Sequence, residues 1–303
     1  MTRILAVKSP ELAAAANPKS GFDAVVVVGH SLGTVGIPAL DSHLQAAAAA
    51  DARFASAVNF LPAAGVAGGR LVTAPTGPLT RDHDDVRRYA EAARAGERRA
   101  RDAGGKAILL LLQTPPSGEL YAEAPAVAAL GAVGGLWEPL EAREALGEAK
   151  VEPVQKLGIG VIGGAFDAEL ATWVEAVEGG LRIARDLCGT EPERMAPPKF
   201  AAYVQQAMKG LPVKVTVQKD TKKLQKDYAL LMAVARASLQ VARHKPCVVR
   251  LEYAPKGKIA RTLLLAGKGL TYDTGGADLK VGGFMAGMSR DKGGAAAVAG
   301  LVY

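Results

Sequence analysis

Cysteine and aromatic residues are scarce in this chain of 303 residues: Cys188 and Cys247 are its only thiols, and Phe, Trp and Tyr together make up 5%. Two cysteines so far apart, without CxxC spacing, supply neither a disulfide framework nor a thiolate metal site, and they suit a reducing compartment. No uninterrupted apolar run approaches the ~20 residues that span a bilayer. The start, MTRILAVKSPELAAAANP, has no sustained apolar core of the kind a signal peptide carries. The cytoplasm is therefore the expected location, with no membrane partner. With so few aromatics, the core must be built from Ala, Val and Leu, which suits closely packed helices on sheet.

The remaining composition is that of a folded protein, 49% hydrophobic and 22% charged. Its length leaves room for two domains, each able to bury a core. The net charge of +7 raises the question of nucleic acid. The basic residues are spread over Arg87 to Arg101 and Lys214 to Lys226, among acidic neighbours and without interleaved aromatics. That pattern reads as solvated helix faces, so no nucleic-acid partner is expected.

Along the first half, strand and helix signals alternate. Apolar strands are predicted at 4–7, 24–28, 70–73 and 107–112, with helices near 42–58, 84–103, 119–132 and 139–149. Alternation of this kind predicts an α/β sandwich. A long helix follows over 166–187, with Leu170, Trp173, Val174, Val177, Leu181 and Ile183 at three- and four-residue intervals. Pro197 and Pro198 then suit the first turn of a helix through Met208. Beyond it come strands at 213–217, 247–253 and 262–266 and a helix over 224–243.

The most informative stretch runs from Leu263 to Gly300. The pattern predicts a buried strand, Leu263 to Leu265, leading into a Gly-rich loop with Lys268, Asp273, Asp278, Lys280 and Asp291. Charges beside an apolar strand end are costly unless paired, and a divalent cation is a common solution. Carboxylates are hard oxygen ligands for such ions. A lysine can join them only as the neutral amine, while a second lysine that stays protonated can polarise a carbonyl.

The segments GKGLTYDTGG (267–276) and MSRDKGGAAAV (288–298), with Lys280 between them, resemble the signature of the M17 leucyl aminopeptidases, a family of two-metal exopeptidases. Spacings of 5, 12 and 23 residues from Lys268 to Asp273, Lys280 and Asp291 all agree. The resemblance implies metal ligands at Lys268, Asp273 and Asp291, with Asp273 bridging two ions of manganese, zinc or magnesium. It implies a catalytic lysine at Lys280 and a specificity-pocket methionine at Met288. Asp278 falls where the family has no fixed acid and is expected to be solvated.

The segment ARDLCGTEPERMAPPKFAAYV (184–204) extends the likeness to roughly 184–303. The implied architecture is an N-terminal macro-like α/β domain (1–165), a connecting helix (166–188) and a catalytic α/β domain (189–303) with a central mixed sheet. The implied activity is removal of N-terminal residues from peptides by a cytosolic homohexamer. Two departures stand out. Lys292 replaces the family's usual methionine, and GGADLKVGGFMAGM is closer to a divergent branch. The family's later NTDAEGR-type ligand segment is absent, and Glu191, Glu193 and Arg194 have the wrong spacing to replace it. The expectation is thus the first part of an aminopeptidase, with an inactive fragment or assembly subunit as the alternative.

Two other motifs compete. GHSLG (29–33) fits the nucleophile elbow GxSxG after an apolar strand, which would make Ser31 an acyl nucleophile. GTVGIP after it is a poor helix start, and His43, His83 and His244 have no distinguishing context. GIGVIG (158–163) fits GxGxxG, but the pattern favours a short glycine-rich strand and turn before the long helix.

Overall fold

The computed structural model describes residues 2–303 and divides them into two compact units, one of 2–138 with 142–178 and one of 139–141 with 179–303.

The first unit is built on β1 (Arg3–Ala6), β2 (Ala24–Gly29), β3 (Asn59–Pro62), β4 (Arg70–Pro75), β5 (Ala107–Leu112) and β6 (Lys156–Val161). They form one sheet in the order β1-β6-β5-β2-β4-β3, all parallel except β3, which runs antiparallel to β4 at the edge. Helices are α1 (Leu12–Ala15), α2 (Pro38–Ala50), α3 (Arg87–Asp102), α4 (Ala124–Gly135), α5 (Leu140–Leu146), α6 (Glu148–Val151) and α7 (Ala168–Gly189), the last passing from the first unit into the second.

Strands buried on both faces must be apolar at every position, and AVVVVG and AILLLL are. Alternate residues supply two separate cores. Val26, Val28, Leu110 and Leu112 pack with α3, α4 and the start of α7. Val25, Val27, Leu109 and Leu111 pack with Leu12 of α1 and with Leu40 and Leu44 of α2. The expected αβα sandwich is thus realised.

Helix α3 is wedged between the sheet and α4, and small residues make the fit possible. A Cβ on Gly131 of α4 would lie 2.4 Å from the Ala90 carbonyl oxygen of α3. The GIGVIG stretch has a related explanation. Gly158 and Gly160 lie inside β6, where a Cβ would fall 2.4 Å from the Phe22 ring and 2.2 Å from Leu12. These glycines make room for side chains on the sheet, as the strand-and-turn reading expects.

The second unit contains α8 (Pro197–Ala207), β7 (Val213–Gln218), α9 (Thr221–Asp227), α10 (Ala229–Ala235), β8 (Val248–Tyr253) and α11 (Gly293–Val302). β7 and β8 form a two-stranded antiparallel ribbon. Its inward residues Val213, Val215, Val249 and Leu251 pack on a core of Ile183, Leu187, Met195, Val204, Met208, Ala296 and Ala299.

Two sequence expectations are corrected here. The predicted helix over 224–243 is broken at Tyr228, whose φ of −138° and ψ of 57° leave the α region, and it ends in 3-10 turns. Residues 262–266 form no strand, and Leu263 and Leu264 are 78% and 89% exposed rather than buried. A strand needs a neighbour to take its hydrogen bonds, and this segment pairs with none of the described residues.

The tight α3–α4 seam makes a direct prediction. Gly131→Val should lower the stability of the first unit by about 1–3 kcal/mol through overpacking. Urea unfolding followed by tryptophan fluorescence measures it.

Candidate active site

The site is assembled by one backbone approach. Lys268 O accepts a hydrogen bond from Ala295 N at 2.8 Å, which lays the Gly267–Lys268 segment on the first turn of α11. Only glycine permits this at 267, because a Cβ there would lie 2.4 Å from the Gly294 carbonyl oxygen. The approach brings Lys268 Nζ to 3.0 Å from Asp291 Oδ2.

A second pair forms beside it. Asp273 Oδ1 accepts from Gly275 N at 2.8 Å, and Lys280 Nζ donates to Asp273 Oδ2 at 3.0 Å. The same ammonium lies 2.9 Å from Met288 Sδ. Lys280, the Gly275 amide and, more weakly, Lys268 hold the Asp273 carboxyl below the ordinary aspartate range. The structure therefore groups the predicted residues as Lys268 with Asp291 and as Lys280 with Asp273 and Met288. Asp278 is exposed, as expected.

Two lysines and two aspartates balance in charge, and each lysine sits where a cation would be welcome. Asp291 Oδ2 shows this most clearly. It is buried and receives no well-directed hydrogen bond, so the ion-pair contact with Lys268 is all it has. A buried acceptor left this way favours a cation. Two carboxylates and one amine fit part of a divalent shell. Among the described residues no group of three or more His, Cys, Asp or Glu is arranged to hold an ion.

One neighbour was not legible as a site feature. Lys292 is 1% exposed, and its Nζ donates to Ser289 O at 2.5 Å, bracing the turn between Met288 and Asp291. Burial pulls its pKa down, opposed by Cys188, Glu191 and Glu141. The sequence marked it only as a departure from a family pattern.

Ser31 is not set up as a nucleophile. Its backbone is tied to Gln113, which accepts from Ser31 N at 2.9 Å and donates to Ser31 O at 2.6 Å. No helix follows until Pro38, so the strand-to-helix elbow is missing. The ring nitrogens of His43, His83 and His244 engage Ala64 O, Asp82 and Glu193.

Comparison with known proteins points to one family. The catalytic-domain model of the cytosol aminopeptidase family matches residues 182–303. A Caenorhabditis elegans protein named as an aminopeptidase is 44% identical over 237 residues, 78% of this chain and 44% of that one. A Nitrosospira multiformis protein named as a cytosol aminopeptidase is 32% identical over 224 residues, 71% and 42% of the two chains.

Among solved structures, the bottromycin maturation enzyme BotP in complex with Mn superposes with a TM-score of 0.67 at 26% identity, covering 92% of this chain and 55% of its own. A tomato leucine aminopeptidase superposes at 0.73 and 20% identity, covering 100% and 58%, and shows the same fold. The chain thus spans about half the length of the relatives it matches.

The Lys280–Asp273 pair yields a pH prediction. In Lys280→Met the Asp273 carboxyl should rise toward the ordinary 3.8. In the unaltered chain it should stay ionised at pH values where an ordinary aspartate is half protonated. Carbon-13 NMR titration of the labelled carboxyl distinguishes the two.

Proposed function

Because the chain belongs to the cytosol aminopeptidase (M17) family, we propose that it carries the first part of a metallo-aminopeptidase that releases N-terminal residues from peptides. The observation that supports this most directly is the gathering of Lys268, Asp273, Lys280, Met288 and Asp291 around one loop and one helix start. The reading divides the chain into an N-terminal α/β domain (1–165), a connecting helix (166–188) and the beginning of the catalytic domain (189–303).

In this reading Lys268, as the neutral amine, and Asp291 would hold one divalent ion, and Asp273 would be shared with a second. The ions are manganese, zinc or magnesium, and the manganese in the BotP structure favours the first. When bound, such ions polarise a carbonyl and acidify a water. Everything else is done by the chain. Lys280, positioned by its hydrogen bond to Asp273, donates to the substrate carbonyl oxygen as negative charge develops on it. Met288, in contact with Lys280, forms the apolar wall against which the substrate's first side chain packs. The cytoplasm and a homohexamer complete the proposal by family likeness.

A second reading, a catalytically inactive fragment or assembly subunit, is favoured by the donor set of this site, which among the described residues offers two carboxylates and one amine. The two readings separate experimentally. In a protein of the relatives' full length, Lys280→Ala should lower kcat on an aminoacyl amide by ~10² to 10³ while leaving manganese content unchanged. Asp273→Ala should lower manganese content as well, and Ser31→Ala should alter neither. Hydrolysis that survives Lys280→Ala but not Ser31→Ala would return the serine-hydrolase reading, and no hydrolysis in the unaltered protein would favour the inactive subunit.

A further inference from the structure

Helix α3 buries a stripe of Tyr89, Ala92, Ala93, Gly96, Glu97 and Ala100. Glu97 is the one acid on it. Its side chain has no solvent exposure, and neither Oε1 nor Oε2 has a hydrogen-bond partner. Asp84, also buried in this unit, is satisfied by contrast: Arg81 Nη2 donates to it at 2.7 Å and Arg88 Nε at 3.0 Å.

The elements packed against α3 are α4, β2, β4 and β5. Of these α4, β2 and β5 contain no ionisable residue. β4 contributes only Arg70, which is committed to Ala103 O at 2.9 Å and Asp23 O at 3.0 Å. On α3 itself Arg94 is exposed and Arg98 donates to Gly135 O at 3.0 Å. Arg101, one turn beyond Glu97, is drawn away to Glu138 at 2.8 Å and Asp102 at 3.2 Å. The Tyr89 phenol, pushed up to about 12 by burial and by Tyr121, stays neutral and also lacks a partner. An unpaired carboxylate in such surroundings is far less favourable than a protonated carboxyl.

We propose that Glu97 holds its proton in the folded first unit at neutral pH, and that its ionisation is what loosens the α3 layer in alkaline solution. Burial pushes the carboxyl up to about 8, opposed only by Arg101, against 4.5 for an ordinary glutamate. Between those two values the folded unit binds one proton more than the unfolded chain. Its stability therefore falls as pH rises, the unfolding constant growing about tenfold per pH unit, and the dependence levels off above about pH 8.

Both tryptophans, Trp137 and Trp173, lie in the first unit, so their fluorescence follows that unit within the intact chain. Urea unfolding from pH 5 to pH 9 compares the unaltered protein with Glu97→Gln and Glu97→Met. The unfolding constant of the unaltered protein, relative to either variant, should rise by roughly 400-fold from pH 5 to pH 8 and then flatten. Infrared spectra should show a protonated-carboxyl band at pH 7 that disappears in the variants. That band can be titrated in the unaltered protein alone if the variants do not fold. Parallel pH profiles for the unaltered protein and Glu97→Gln, or the absence of the band at pH 7, would overturn the proposal.

Discussion

The hydrogen bond from Ala295 N to Lys268 O carries the candidate site, because it lays the Gly267–Lys268 segment on the start of α11, a helix whose Ala296 and Ala299 are anchored in the core. Gly267 allows the approach, and Lys268 then faces Asp291 across the start of α11. The loop from Gly269 onward returns through the Gly275 turn to set Lys280 on Asp273. Without the first contact, Lys268 and Asp291 would belong to separate surfaces and the four charges would not share a site.

Those charges explain why the residue types are what they are. Each aspartate is paired with one lysine, and the pairing leaves one carboxylate oxygen, on Asp291, buried without a directed donor. The arrangement holds together with its own cations. The two lysines differ in environment: the Lys268 side chain is 62% exposed beside Asp291, whereas Lys280 is 25% exposed and held between Asp273 and Met288.

Much of this was legible in the sequence, and the exceptions have physical causes. β2 and β5 could be read because strands covered on both faces are apolar throughout. β6 was legible only as a short glycine-rich strand, because Gly158 and Gly160 serve packing rather than strand propensity, and β3 was missed through its shortness and Pro62, tolerated there because it ends an edge strand. Leu263 to Leu265 has the composition of a buried strand but no partner among the described residues. The site was legible because its residues are fixed by spacing along one loop. Lys292 and Glu97 were not, since each is a charged residue in a stretch that reads as solvated, and only packing reveals that it is buried.

The central claim is that Lys268, Asp273 and Asp291 together form a cation site. Anomalous scattering from crystals soaked in manganese tests it most directly. The account predicts density on the Asp273 and Asp291 carboxylates with the Lys268 amine turned into ligand distance. Manganese bound elsewhere, with the Lys268–Asp291 and Lys280–Asp273 pairs intact, would contradict it.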